Sequence, residues 1–184
     1  MRKRSASMGT VYTVGHSSRT TRELLELLRA HGVEQVVDVR TIPRSRHNPQ
    51  FNRPALSRSL HAVRLRYRHL KTLGGLRHAR AESTNLGWRN ASFRGFADYM
   101  QTEEFAAGLA RLERIASRHP TAIMCAEAVP WRCHRSLIAD ALTVAGWRVL
   151  HIQSRRTARR HRRTPFLKVR GGTLRYPAPR RTVS

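Results

Sequence analysis

The stretch TAIMCAEAVPWRCHRSLIADAL, residues 121–142, contains the change of pattern that decides the fold. Its opening run TAIMCAE is β-branched and apolar and predicts a strand, whereas the residues from Cys133 to Ala145 predict a helix that Gly146 ends. Pro130 and Trp131 turn the chain between the two elements. The same stretch holds both cysteines of the chain, which are expected either to pack as small apolar side chains or to form a site.

Strand and helix alternate on both sides of this stretch. Further strands are predicted at 10–14, 33–40, 65–69 and 147–152, and further helices at 21–31, 54–63, 93–100 and after Thr102. Thr20 and Glu23 have the spacing of a capping box. This order predicts a single α/β domain with a mainly parallel, roughly five-stranded sheet flanked by helices, in a Rossmann-like or partial-barrel arrangement.

The composition is that of one globular domain, with 184 residues, 40 % of them hydrophobic and 26 % charged. The predicted organisation is a flexible basic segment at 1–9, the α/β domain at 10–153 and an Arg-rich, poorly ordered tail at 154–184. No secretory signal, no membrane span and no disulfide framework are predicted, so a cytoplasmic location with reduced thiols is expected. The sequence predicts neither a cofactor nor an oligomeric state.

The net charge of +25 is the largest departure from average composition. Residues 155–184 carry eleven Lys or Arg and no acidic residue, and residues 1–154 carry twenty-five basic and eleven acidic residues. Both parts are therefore basic enough to attract a polyanion, and a nucleic acid or a nucleotide is the predicted partner.

Polar residues and glycines follow each of the first four predicted strands, at the carboxyl ends where open parallel sheets bind ligands. They are Gly15 and His16 after the first strand, Asp38 and Arg40 after the second, Gly74 and Gly75 after the third, and Cys125, Glu127, Cys133, His134 and Arg135 after the fourth. We expect these groups to converge on one pocket.

Cys133 is the strongest candidate among them. It lies at the predicted start of a helix, where the helix dipole and the neighbouring basic side chains favour a thiolate with a lowered pKa. Cys125 ends a buried strand and is either an inert core residue or a second reactive thiol. A metal site is not predicted, because the two cysteines lack the close pairing of zinc-binding motifs.

The other candidates each have two interpretations. Glu127 is a general base, an orienting group or a salt-bridge partner of an arginine. Asp38 handles protons or only pairs with Arg40, and His16 contacts a ligand or caps the first helix. In the stretch GWRNASFRGFADYM, residues 87–100, the loop residues Trp88, Arg89 and Asn90 are predicted ligand contacts, because aromatic rings beside guanidinium groups suit base stacking and phosphate binding.

Five stretches, VGHSSRT, VVDVRTIPRSRHNPQFN, LGG, GWRNASFRGFADYM and CAEAVPWRCHRSLIADAL, resemble the bacterial and archaeal family known as domain of unknown function 488. The resemblance runs from about Val11 to Ile152 and implies a single α/β domain but no settled activity. The signature residues that it implies are Gly15, His16, Asp38, Arg40, Pro43, Gly74, Gly75, Cys125, Glu127, Pro130, Cys133, His134 and Arg135.

Two functions from different classes are compatible with these features. The first is an enzyme acting on a phosphate-bearing substrate, with Cys133 as nucleophile, Glu127 or Asp38 moving protons, His16 as acid, base or donor, and Arg40 and Arg135 holding phosphate. The second is a nucleic-acid-binding module without chemistry. A thiol redox or metal-dependent regulator is a further alternative.

Overall fold

The computed structural model describes residues 8–179. The predicted basic segment at 1–9 lies outside these residues except for its last two positions, as do residues 180–184 of the predicted tail. The helices are α1 (Thr21–Ala30), α2 (Arg53–Ala62), α3 (Ala91–Tyr99), α4 (Glu103–Ala116) and α5 (Arg135–Val144). The strands are β1 (Thr10–Gly15), β2 (Gln35–Asp38), β3 (Arg66–His69), β4 (Thr121–Cys125), β5 (Arg148–Ile152), β6 (Ala158–Arg160), β7 (Lys168–Arg170) and β8 (Thr173–Arg175).

Local sequence explains where the helices begin. Thr20 accepts a hydrogen bond from the Glu23 amide while the Glu23 carboxylate bonds back to the Thr20 amide, so the predicted capping box is present at the start of α1. Thr102 caps α4 through the Phe105 amide. Pro54 occupies the first turn of α2, where its missing N–H costs nothing.

The main sheet has six strands in the order β3-β2-β4-β1-β5-β6. The first five are parallel, and only β6 pairs antiparallel with its neighbour, β5. The prediction of an α/β domain with a mainly parallel sheet is confirmed. The strand order is that of an open sheet, in which the chain leaves β1 towards β2 on one side and leaves β4 towards β5 on the other.

Apolar residues on the two faces of the sheet form two separate clusters. One face packs against α1 and α2 through Leu24, Leu28, Leu56 and Leu60. The opposite face packs against α3, α4 and α5, with side chains such as Phe96, Phe105, Leu112, Leu137 and Ile138 in the core. Every residue of β2 and β4 is buried, as expected for parallel strands covered on both faces.

The basic segment after residue 153 differs from the poorly ordered tail that its composition predicts. Within 154–179 the chain adds β6 to the main sheet and forms the β7–β8 hairpin. Buried Asp140 of α5 holds this segment, because its two carboxylate oxygens accept hydrogen bonds from His161, Thr164 and Tyr176. Tyr176 is itself fully buried. A buried carboxylate therefore fixes a segment whose arginines point outwards.

Among residues 8–179, no helix combines the length and the apolar character that a membrane span requires.

Candidate active site

The carboxyl ends of β2, β4 and β1 lie side by side and open into a cavity of about 720 Å³, called here the thiol cavity. This edge lies at the switch point of the sheet, where open parallel sheets place their ligands, because β1 and β4 send the chain in opposite directions. Hydrogen bonds from the His16 amide to the Cys125 carbonyl and from the Ser17 amide to the Ala126 carbonyl, at 3.0 and 2.8 Å, extend the β1–β4 pairing into the cavity wall.

The residues lining the thiol cavity come from five parts of the chain. They are His16, Ser17, Ser18, Arg40, Thr41, Ile42, Arg44, Ser45, Asn48, Gly75, Leu76, Ser92, Phe93, Cys125, Ala126, Glu127, Arg132, Cys133 and His134. The predicted convergence on one pocket is therefore present for His16, Arg40, Gly75, Cys125, Glu127, Cys133 and His134. The other predicted residues, Gly15, Asp38, Gly74 and Arg135, do not line the cavity.

The two cysteines meet at the floor of the cavity. Both are free and buried, and their sulfur atoms are 2.8 Å apart. Cys125 lies at the end of β4, and Cys133 follows the 3₁₀ turn Pro130–Arg132, two residues before α5 begins. The turn thus folds the chain back so that one thiol contacts the other.

The pKa values of the two thiols are shifted in opposite directions. The hydrogen bond from Cys125 is the main cause that lowers the pKa of Cys133 to about 4, against the opposing effect of burial, and His134 and Arg135 lower it further. Burial is the main cause that raises the pKa of Cys125. Within the pair, the negative charge is therefore favoured on Cys133 and the proton on Cys125.

The buried guanidinium of Arg135 is one of the groups that favour a negative charge at this place. Its side chain is 1 % exposed, and one guanidinium nitrogen donates to the Ala128 carbonyl at 3.2 Å. The other two, Nε and Nη1, have no hydrogen-bond partner within the described part of the chain. A buried cation without a carboxylate partner is costly, and the Cys133 thiolate compensates its charge.

His134 faces the Cys133 sulfur. Its Nε2 lies 3.1 Å from the Val39 carbonyl and must carry a proton to donate there, so its Nδ1 is the atom presented to the sulfur at 3.5 Å. The ring also packs against Phe96 at 5.0 Å between centroids. His134 is therefore oriented as the proton partner of a cysteine nucleophile.

Gly75 leaves the space in which the His134 ring lies, because a Cβ atom at this position would overlap Nδ1, Cγ and Cε1 of the ring. We expect Gly75→Ala to displace His134 and to slow alkylation of Cys133 by iodoacetamide about tenfold at pH 6. Gly108→Ala, which adds the same methyl group within α4, is the matched control and should leave the rate unchanged. Equal rates in the two variants would contradict the assigned role of Gly75.

Arg40 is held in the cavity wall by Asp38. The guanidinium donates to both carboxylate oxygens, at 2.9 Å from Nε and 2.6 Å from Nη2, and Tyr67 donates to Asp38 at 2.8 Å. Burial, followed by the charge of Asp38, raises the pKa of Tyr67. Asp38 is fully buried and is not part of the cavity lining, so the structure places it behind Arg40 as an orienting group.

His16 completes this wall. Its Nδ1 donates to the Ser17 carbonyl at 2.9 Å, its Nε2 lies 3.2 Å from Arg40 Nη1, and its ring stacks on Phe51 at 4.3 Å. Burial is the main cause that lowers the pKa of His16. The ring is consequently neutral at pH 7 and accepts a hydrogen bond from Arg40. Ser17 beside it has a φ of 49°, a conformation that non-glycine residues rarely adopt.

The remaining residues that the sequence predicts for the site lie at the rim of the thiol cavity or outside it. Glu127 lies exposed at the cavity rim, and Gly15 gives its carbonyl room, since a Cβ atom at Gly15 would overlap that oxygen. Gly74 packs against Thr41. The stretch Trp88–Asn90 lies outside the lining of the thiol cavity: Trp88 packs on Phe93, Phe166 and Tyr176, Arg89 is exposed, and Asn90 caps α3.

Sequence reasoning did not single out Arg44, Ser45 and Asn48, which also line the cavity. They belong to the long loop between β2 and α2. The sequence feature that could have identified them is the position of this loop directly after Asp38 and Arg40. Within residues 8–179, no group of three or more His, Cys, Asp or Glu side chains is arranged to hold a metal ion.

Comparison with known protein families agrees with the motifs noted in the sequence. Residues 20–142 match the family described as Domain of unknown function DUF488. The chain belongs to this family. The match covers about two thirds of the chain, from the cap of α1 to the last turn of α5, and includes both cysteines. A search of curated proteins and a search of solved structures found no match.

Proposed function

We propose that this DUF488 protein is an enzyme that acts on a phosphate-bearing substrate, a nucleotide or a nucleic acid, in the thiol cavity. The observation that carries the proposal is the Cys133 sulfur, which lines the cavity with Cys125 at 2.8 Å and His134 Nδ1 at 3.5 Å. A thiolate that accepts a hydrogen bond from a neighbouring thiol and lies beside an imidazole is an activated nucleophile.

The charges around the sulfur favour an anionic substrate. Arg40, Arg44 and Arg132 line the cavity, and Glu127 is its only acidic lining residue among those described. Guanidinium groups bind phosphate oxygens through paired, charge-assisted hydrogen bonds. The neutral His16 ring keeps Arg40 in place without competing for the anion.

The proposed chemistry proceeds in two steps. The Cys133 thiolate attacks phosphorus, a sulfur–phosphorus bond forms, and the bond to the leaving oxygen breaks; this oxygen leaves as an anion and takes a proton from solvent at the rim. Water or an acceptor hydroxyl then attacks phosphorus while the Glu127 carboxylate takes its proton and passes it to solvent, and the sulfur–phosphorus bond breaks to release the thiolate. Arg40 and Arg44 stabilise the negative charge on the phosphoryl oxygens in both steps.

Chromogenic phosphate esters test this proposal without knowledge of the natural substrate. We expect the protein to release nitrophenolate from p-nitrophenyl phosphate or from its diester, and Cys133→Ser to lower the rate at least about 100-fold. A phosphorylated Cys133 peptide should be detectable by mass spectrometry after quenching in denaturant at neutral pH. Unchanged release by Cys133→Ser, or no release by the unmodified protein, would contradict the proposal.

The distance of 2.8 Å between the sulfur atoms also favours a second candidate function, a thiol redox regulator. A peroxide would oxidise the Cys133 thiolate to a sulfenic acid, and the Cys125 thiol would then displace water to form a disulfide. We expect hydrogen peroxide to remove both free thiols together and to reduce the mass by two hydrogen atoms, reversibly with dithiothreitol. Oxidation of Cys133 alone, without loss of the Cys125 thiol, would contradict this second function.

A further inference from the structure

A second cavity, of about 770 Å³, lies on the other side of the turn Pro130–Arg132 and is called here the arginine cavity. Its aromatic lining residues are Trp88, Trp131 and Phe166, and its basic ones are Arg159, Arg160 and Arg162. Pro130 and Trp131 line this cavity, whereas Arg132 and Cys133 line the thiol cavity. One turn of the chain thus forms the partition between the two.

The charge of the arginine cavity is not compensated. Residues 154–179 contain nine Lys or Arg and no acidic residue. The single ion pair of this segment to a surface carboxylate, among the residues described, joins Arg155 to Glu26. Asp140 is nearby, but it is buried and its oxygens already accept from His161, Thr164 and Tyr176. The cavity therefore has a positive field that an anionic ligand would neutralise.

Trp131 gives the cavity an exposed aromatic face. Its side chain is 68 % exposed, although it lies at a turn that both cavities border. Exposing an indole to water is unfavourable, and Trp is enriched where a flat partner covers it. The faces of nucleobases stack on indoles whatever the base, with about 1–3 kcal/mol per base.

We propose that the arginine cavity binds single-stranded nucleic acid, with a base on Trp131 and phosphates against Arg159, Arg160 and Arg162. The strand continues across the turn Pro130–Arg132 so that a phosphate enters the thiol cavity, and this last part rests on the proposed function. A single strand fits better than a duplex, because bases stacked inside a duplex do not offer their faces to an indole.

The test is the binding of a fluorescently labelled oligothymidylate, measured by anisotropy at several salt concentrations. We expect Trp131→Ala to weaken binding about tenfold, the size of one lost base stack. The double variant Arg159→Ala with Arg160→Ala should reduce the slope of log K against log salt by about 1.4, since each lost phosphate contact contributes about 0.7 for a single strand.

The matched control removes two exposed arginines from the opposite face of the sheet, Arg22→Ala with Arg29→Ala on α1, and should leave the slope nearly unchanged. Equal effects of the two double variants, an unchanged affinity in Trp131→Ala, or equal affinity for a duplex of the same length would overturn the proposal. Thermal unfolding of each variant shows whether it is folded.

Binding and chemistry are separated by measuring the oligonucleotide with Cys133→Ser as well. Unchanged binding by this variant together with absent ester cleavage by the unmodified protein would leave the arginine cavity as a binding site and overturn only the proposed enzyme. Ester cleavage without oligonucleotide binding would support the proposed enzyme and overturn only the proposal that the arginine cavity binds nucleic acid.

Discussion

Asp140→Ala is expected to lower the free energy of unfolding by about 3 kcal/mol and to detach residues 158–176 from the domain. One carboxylate oxygen accepts from His161 Nε2 at 2.8 Å and from the Thr164 amide at 3.0 Å, and the other accepts from Thr164 Oγ1 at 2.7 Å and Tyr176 at 3.0 Å. Alanine would leave these buried donors without an acceptor. Urea unfolding measures the first effect, and the rate of tryptic cleavage within the Arg-rich segment measures the second.

The matched control for Asp140 is Glu26→Ala, which removes an exposed carboxylate that also contacts this segment, through Arg155 at 3.3 Å. Surface ion pairs contribute about 0–1 kcal/mol, so this variant should resemble the unmodified protein in both measurements. If Asp140→Ala were cleaved no faster than Glu26→Ala, Asp140 would not be the anchor of the segment.

His161 connects this anchor to the sheet. Its Nδ1 accepts from His151 Nε2 at 2.9 Å, and His151 Nδ1 accepts from the Thr13 hydroxyl at 2.7 Å. Burial is the main cause that lowers the pKa of His151 to about 3, so its ring is neutral and the hydrogen bonds run in one direction from Thr13 to Asp140. The network therefore ties β1, β5, α5 and the segment after residue 153 together.

Cys125→Ala is expected to raise the pKa of Cys133 from about 4 towards the ordinary cysteine value of about 8.5. The hydrogen bond from Cys125 is the largest cause that favours the Cys133 thiolate, and alanine has no donor. The thiolate fraction falls tenfold for each pH unit below the pKa, so alkylation of Cys133 at pH 5 should slow by roughly 100-fold.

Cys125→Ser keeps a donor at the same position and is the control for lost packing. Its hydroxyl should preserve most of the Cys133 alkylation rate at pH 5, so the rate should fall much less in Cys125→Ser than in Cys125→Ala. Equal loss in the two variants would show that sulfur packing, rather than a donated hydrogen bond, controls Cys133.

The alternation of strand and helix could be predicted because each element carries its own local signal. The capping box at Thr20 and the cap at Thr102 mark helix starts that the structure contains. The location of the site could be predicted indirectly from the fold class, since a parallel sheet brings the residues after β1, β2 and β4 to one edge. His16, Arg40, Cys125 and Cys133 could be placed near one another on that ground alone.

Contacts between distant parts of the chain could not be predicted in the same way. Asp140 and its partners are separated by 21 to 36 residues, and no periodic pattern relates a carboxylate in α5 to Tyr176. Composition alone therefore predicted disorder where the structure has strands. Trp88 shows the same limit: its neighbours Phe166 and Tyr176 belong to the segment after β6, so its packing on them could not be seen in the loop.

The approach of the two thiols also depends on tertiary geometry. Eight positions separate Cys125 from Cys133, and only the 3₁₀ turn Pro130–Arg132 brings their sulfur atoms together. Helix polarity and basic neighbours were the sequence reasons for predicting a lowered pKa at Cys133. The largest cause that lowers this pKa is instead the hydrogen bond from Cys125, for which the sequence left a core and a site interpretation open.

The pH dependence of Cys133 alkylation by iodoacetamide, in the unmodified protein, tests the central claim most directly. Iodoacetamide is uncharged, so its rate follows the thiolate fraction, and a tryptic digest assigns the modification to Cys133 or Cys125. We predict modification of Cys133 at a rate that stays constant from pH 8 down to about pH 5, as a pKa of about 4 requires. A rate that instead falls tenfold per pH unit below about pH 8.5 would contradict the account, because Cys133 would then be an ordinary buried thiol.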